Sequence, residues 1–250
     1  MLQALSWAAL GTGFTFLMTT LGAAVVFFFV EEPRPQFQRT MLGFAAGVMT
    51  AASVWSLLLP AIEQSADFGV PGWLPAAAGL LLGVGFLSAL DAVLPHLRRA
   101  KDMTRRQSTL LMAAITLHNV PEGMAVGLAF ALAAEGEGMA GAAALALGIG
   151  IQNLPEGAAI SLPLRQEGSS RGRAFLLGTL SGSVEPIFGI LVVLVAAGVR
   201  PLMPWLLSFA AGAMLYVVVE ELVPQAHSKA GTCGFVGGFL IMMILDVALG

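Results

Sequence analysis

Two short phrases, His118-Asn119-Val120-Pro121-Glu122-Gly123 and Gln152-Asn153-Leu154-Pro155-Glu156-Gly157, repeat one chemical pattern within otherwise apolar surroundings. In each, a side chain able to coordinate a cation precedes a glutamate by four residues. On a helix that spacing puts both on one face, one turn apart. In each, a proline stands directly before the glutamate. Lacking an N–H, it frees the carbonyl four residues back, at Leu117 and Ile151, and bends the helix. A carboxylate inside a membrane is costly and by default marks a functional site. Two of them, each with a partner ligand and a freed carbonyl, describe a cation site.

His118 and Glu122 offer an imidazole nitrogen and a carboxylate; Gln152 and Glu156 offer an amide oxygen and a carboxylate. Mixed nitrogen and oxygen donors suit zinc, iron(II), cobalt or manganese better than calcium. Asn119 and Asn153 point about 100° further around their helices, where they are expected to serve a second, adjacent position; the alternative for His118 and Asn119 is interhelical hydrogen bonding. Ser183-Val184-Glu185-Pro186 adds a third glutamate beside a proline. Three carboxylates in one small bundle repel unless a cation or protons join them. A metal pair bridged by Glu122 and Glu156, with Glu185 as an extra ligand, answers that need. Met49 is either a soft thioether ligand or packing. Glu220, Glu221 and His227 mark either an exit path or a solvated helix end; Glu63 and Asp67 either gather cations or are loop charge. Asp91 and Asp246 are expected to make structural polar contacts, and His96 to have no role.

The elements that carry these residues are membrane spans. Apolar residues make up 57% of the 250-residue chain and charged ones 11%, about half the charge of a soluble domain, and mean hydropathy is +0.86. Eight apolar stretches are expected to cross the bilayer as helices, at 3–30, 40–63, 72–97, 108–133, 138–164, 173–198, 203–226 and 231–249. Eleven of the 12 Lys and Arg residues fall in the connections after stretches 1, 3, 5 and 7, which orients those connections to the cytoplasm and both termini outward. The first stretch is too long for a cleaved signal and lacks a basic leader. The single Cys233 sets no redox compartment, and no loop is long enough for a soluble domain. The net charge of −3 gives no sign of a nucleic-acid surface. The expectation is one all-α, polytopic membrane domain over residues 1–250, partnered by the lipid bilayer and a divalent cation.

An internal repeat organises the spans. Phe44-Ala45-Ala46-Gly47-Val48-Met49 in the second matches Phe209-Ala210-Ala211-Gly212-Ala213-Met214 in the seventh, and Leu59-Pro60 roughly matches Val223-Pro224. Leu90-Asp91-Ala92-Val93-Leu94 in the third matches Leu245-Asp246-Val247-Ala248-Leu249 in the eighth. The matched stretches run in opposite directions, giving a three-two-three inverted repeat, an arrangement that places a midplane site at the repeat interface of many secondary transporters. The residues therefore point to a carrier working by alternating access. A metal-selective channel needs the same polar path. An intramembrane metalloenzyme would need a metal-bound water, and its usual H-E-x-x-H marker is absent, so no enzyme activity is expected.

On these residues the chain resembles the ZIP (Zrt/Irt-like) family of divalent metal transporters over essentially its whole length, and its Gln152-Asn153 start resembles the bacterial GufA-type branch. The resemblance implies transport of zinc into the cytoplasm, with cadmium, iron or manganese as further substrates, across a bacterial inner membrane, by a homodimer. It implies a first metal position formed by Met49, His118, Glu122, Gln152 and Glu156. A second is formed by Asn119, Glu122, Asn153, Glu156 and Glu185. Two departures stand out: the connection between the third and fourth stretches is short and basic, and Asn153 stands where some relatives have an acid.

Overall fold

The computed structural model describes residues 1–28, 35–97, 103–136, 138–166, 168–198 and 200–249, with backbone alone at 94–97, 103–115, 117, 118, 166, 197, 198, 200 and 249. The basic residues Arg34, Arg98, Arg99 and Lys101 lie outside the described residues, as do the side chains of His96 and His118. All elements among the described residues are helical. They form eight rods: α1 (Leu2–Phe27), α2 (Pro35–Phe68), α3 (Trp73–Leu97), α4 (Met103–Ala133), α5 (Met139–Gln166), α6 (Arg171–Gly198), α7 (Met203–Ala226) and α8 (Lys229–Leu249). The expected ends differ from these by up to five residues, most at both ends of α2 and at the start of α4. Six rods (α1, α2, α3, α6, α7 and α8) contain windows long and apolar enough to cross a membrane. The other two, α4 and α5, carry the polar phrases. The chain is an all-α polytopic membrane protein.

The rods sort into two groups by packing. In one, α2 lies along α8, α3 lies along α7, and α2 meets α7; in the other, α1 lies along α5, α4 along α6, and α1 also touches α4 and α6. The groups meet where α5 reaches α2 and α8 and where α4 reaches α7. In lipid, close backbone approach replaces the hydrophobic drive, so small residues mark the seams. This accounts for the matched Phe-Ala-Ala-Gly phrases. A Cβ on Gly47 would strike the carbonyl oxygen of Phe235 in α8, and one on Gly212 would strike that of Leu80 in α3.

Prolines reshape the backbone at places the sequence reading did not expect. Pro121 and Pro155 lie within uninterrupted α-helix. The departures fall instead at Ser53–Leu58 in α2 and Val218–Leu222 in α7, both π-helical. Each spans the carbonyl that a downstream proline leaves without its usual donor, Ser56 for Pro60 and Glu220 for Pro224; widening the turn redirects carbonyls to donors one residue further on. The stretch expected unbroken at 173–198 is divided at Ser183, between Arg171–Gly182 and Val184–Gly198. Its cause is local: Pro186 suits the first turn of a new helix but not the interior of an old one.

Candidate metal centre

The break in α6 matters because it sets Glu185 in the first turn of the second half, where unpaired backbone N–H groups and the helix dipole favour a carboxylate. Gly123, next to Glu122 in α4, packs against the Glu185 backbone, where an added Cβ would collide. The glycine closing the first phrase thus brings α6 onto α4. Gly157 does the same for α1 on α5: a Cβ there would strike the carbonyl oxygen of Thr19.

Asn119, Glu122, Gln152, Asn153 and Glu185 are fully buried, and Glu156 is 8% exposed. Gln152 Nε2 donates to Glu122 Oε1, joining α5 to α4. Asn153 Nδ2 donates to Glu185 Oε2 at 3.0 Å and to the carbonyl of Thr15 at 3.4 Å. Asn119 Nδ2 donates to the carbonyl of Ser181 at 3.2 Å. The interhelical hydrogen bonding expected of Asn119 is present, and Asn153 bonds in the same manner. Each amide nitrogen ties neighbouring helices together, and each amide oxygen is left over.

Those leftover oxygens define the chemistry. Asn119 Oδ1, Glu122 Oε2, Gln152 Oε1 and Asn153 Oδ1 are all buried and have no hydrogen-bond donor among the described residues. A buried polar atom left without a partner costs about 1–3 kcal/mol, and more when it is charged. Four acceptors from two adjacent helices, carboxylate and amide together, offer ligands to a cation that sheds its water. Among the described residues no three acidic, histidine or cysteine side chains converge on one point; the free acceptors named above are one carboxylate oxygen and three amide oxygens.

The remaining expected residues are placed as follows. Met49 is fully buried in α2, one turn from Ala45, which lines an apolar cavity with Phe37, Met41, Pro155 and Glu156. The helix backbone carries His118 one turn before Glu122. Glu63 and Asp246 line a second cavity with Ser56 and Gln64. The matched aspartates make the expected polar contacts: Ser56 Oγ donates to Asp246 Oδ1 at 2.6 Å, and Tyr216 Oη donates to Asp91 Oδ2 at 2.9 Å. Glu220 and His227 are exposed at the end of α7.

The sequence reading missed α1. Thr12, Thr15 and Thr19 are fully buried, and Thr19 Oγ1 donates to Glu185 Oε1 at 3.1 Å. The signal was a hydroxyl every three or four residues along one face of an apolar helix.

Fold and site together define a class: a polytopic helical membrane protein whose middle holds buried carboxylates and amides with free acceptor oxygens. The family model described as ZIP Zinc transporter matches residues 100–246. Zinc transporter ZIP11 of Homo sapiens is 36% identical, with 97% of this chain and 97% of the relative aligned. Zinc transporter GufA of Myxococcus xanthus is 39% identical over 93% of this chain and 94% of its own length. For zinc transporter ZIPB of Bordetella bronchiseptica the identity is 37%, over 98% and 82%. The chain belongs to the ZIP zinc transporter family.

Proposed function

We propose that this ZIP-family zinc transporter carries zinc into the cytoplasm through the centre between α4 and α5, by alternating access. The observation that carries the reading is the set of buried acceptor oxygens on Asn119, Glu122, Gln152 and Asn153 that lack donors. An entering ion takes its first position from Met49, His118, Glu122, Gln152 and Glu156. A second position is bounded by Asn119, Glu122, Asn153, Glu156 and Glu185, the two phrase glutamates being shared. Binding at the first requires the Gln152 amide to release Glu122 Oε1 and present its own oxygen. The carboxylates then face a divalent charge in place of one another, which offsets their mutual repulsion.

The chain acts as one domain with eight spans in a three-two-three inverted repeat, in a bacterial inner membrane with both termini outside. The paired packing of α2 with α8 and α3 with α7, together with π turns at matched places in α2 and α7, supports the repeat. The group of α1, α4, α5 and α6 shifts as a body against α2, α3, α7 and α8, moving the centre between an outer approach past Glu63 and Asp246 and an inner one. That zinc is the main substrate is supported by the three relatives, each named a zinc transporter. Cadmium, iron and manganese are further substrates on the same donor set, and the working unit is a homodimer.

The test is zinc uptake into proteoliposomes. Wild-type protein takes up zinc saturably and with strong temperature dependence, and Glu122→Ala falls to the protein-free background. A Glu122→Ala variant that still transports contradicts the reading, and uptake linear in zinc concentration replaces the carrier by a channel.

A further inference from the structure

Thr19 of α1 meets the metal centre from a helix outside both phrases. Its hydroxyl lies 3.1 Å from Glu185 Oε1 and 3.3 Å from the carbonyl of Thr15. A hydroxyl has one proton to give, and the carboxylate is both the nearer and the stronger acceptor. Asn153 Nδ2 holds the other carboxylate oxygen at 3.0 Å, so Glu185 is gripped at both oxygens. Thr12 shows the contrast within the same stripe, its hydroxyl bonding to its own helix at the carbonyl of Ala8, 2.7 Å away.

The internal repeat explains why a threonine stands there. Thr19 and Glu185 are 166 positions apart, and Thr15 and Ser181 are separated equally. The contacts match pair by pair. Gly123 of α4 abuts the backbone of Glu185, as Gly157 of α5 abuts that of Thr19. Asn119 donates to the carbonyl of Ser181, as Asn153 donates to that of Thr15. α1 stands to α5 as α6 stands to α4, and Thr19 occupies in the first half the place that Glu185 occupies in the second. One of the two equivalent places carries a carboxylate, and the other carries a hydroxyl that binds it.

We propose that Thr19 is a positioning residue for zinc transport: its hydroxyl, together with the Asn153 amide, holds the Glu185 carboxylate toward the second cation position. Thr19 does not touch the ion. It fixes a group that does, so an arriving ion meets a carboxylate already oriented. The proposal rests on the reading of Glu122 and Glu156 as zinc ligands.

The experiment measures zinc uptake in proteoliposomes for Thr19→Val, Thr19→Ser, Glu185→Gln and the Thr19→Val/Glu185→Gln double variant, with Thr12→Val as a packing control. Thr19→Val should raise the zinc KM about tenfold, the scale of one hydrogen bond to a charged group, with Vmax within about twofold of wild type. Thr19→Ser should restore the wild-type KM, and Thr12→Val should leave it unchanged. In the Glu185→Gln background, Thr19→Val should add no further change, because the charge it positions is gone. Should the valine variant fail to fold, Thr19→Ala must show the same rise. An unchanged KM in Thr19→Val, an equal loss in the Glu185→Gln background, or the same rise in Thr12→Val overturns the proposal. Active Glu122→Ala marks the failure of the underlying reading; inactive Glu122→Ala beside unchanged Thr19→Val marks the failure of this proposal alone.

Discussion

The seams that join α2 to α8 and α3 to α7 handle polarity differently from the α4–α5 pair. Along the seams, helices meet at small residues with backbone against backbone, as at Gly47 and Gly212. The two buried or half-buried aspartates in that group each accept a hydroxyl from a neighbouring helix, Ser56 for Asp246 and Tyr216 for Asp91, and one oxygen, Asp246 Oδ2, is buried without a donor. Between α4 and α5, donors run short. Gln152, Asn119 and Asn153 give their N–H groups to a carboxylate or to backbone, and the amide oxygens and Glu122 Oε2 remain without donors. The first region is joined by close backbone packing and leaves a single carboxylate oxygen over among its described residues. The second gathers four such oxygens, the excess on which the proposed cation centre rests.

That contrast makes opposite predictions for substitutions at the two places. Gly47→Leu forces a side chain into the carbonyl of Phe235 and must push α8 off α2, a backbone contact with no flexible neighbour to yield. Overpacking of this kind costs about 3 kcal/mol or more. The expected outcome, read by thermal unfolding of detergent-purified protein, is a large fall in stability or loss of folded protein. Glu122→Ala should change stability far less, since relief of crowding among three acidic side chains offsets the lost Gln152 hydrogen bond. A Gly47→Leu protein as stable as wild type would dissolve the distinction between seam and centre.

A smaller effect is expected at Gln152. Replacing it with histidine exchanges an amide oxygen for an imidazole nitrogen while leaving Glu122 and Glu156 in place. Transport should persist, with the preference moved toward zinc over manganese. Competition uptake with zinc, cadmium, iron and manganese measures the shift. An unaltered order of preference would place Gln152 outside the ligand set.

Much of this was legible in the sequence, for identifiable reasons. Span limits followed from apolar length, and residues 203–226 coincide with α7 as found. The two phrases pointed to the proposed centre because their i, i+4 spacing holds on any helix. Backbone irregularities were harder to read. Prolines 121 and 155 looked like breaking points yet lie within continuous helix, while Pro60 and Pro224 sit just beyond π turns. A proline states only that one donor is missing; which carbonyls adjust depends on neighbouring helices. Thr19 was illegible for a related reason. A threonine in an apolar helix can satisfy its hydroxyl on its own preceding turn, as Thr12 does, and only the placement of α1 beside α6 reveals a second acceptor.

The central claim is that the unsatisfied oxygens between α4 and α5 receive the transported ion. Anomalous scattering from crystals grown with zinc tests it most directly. The account predicts a zinc peak within coordination distance of Glu122, Gln152 and Glu156, with the Gln152 amide turned away from Glu122 Oε1. Zinc bound elsewhere in the protein, with this position empty and the Gln152–Glu122 hydrogen bond intact, would contradict it.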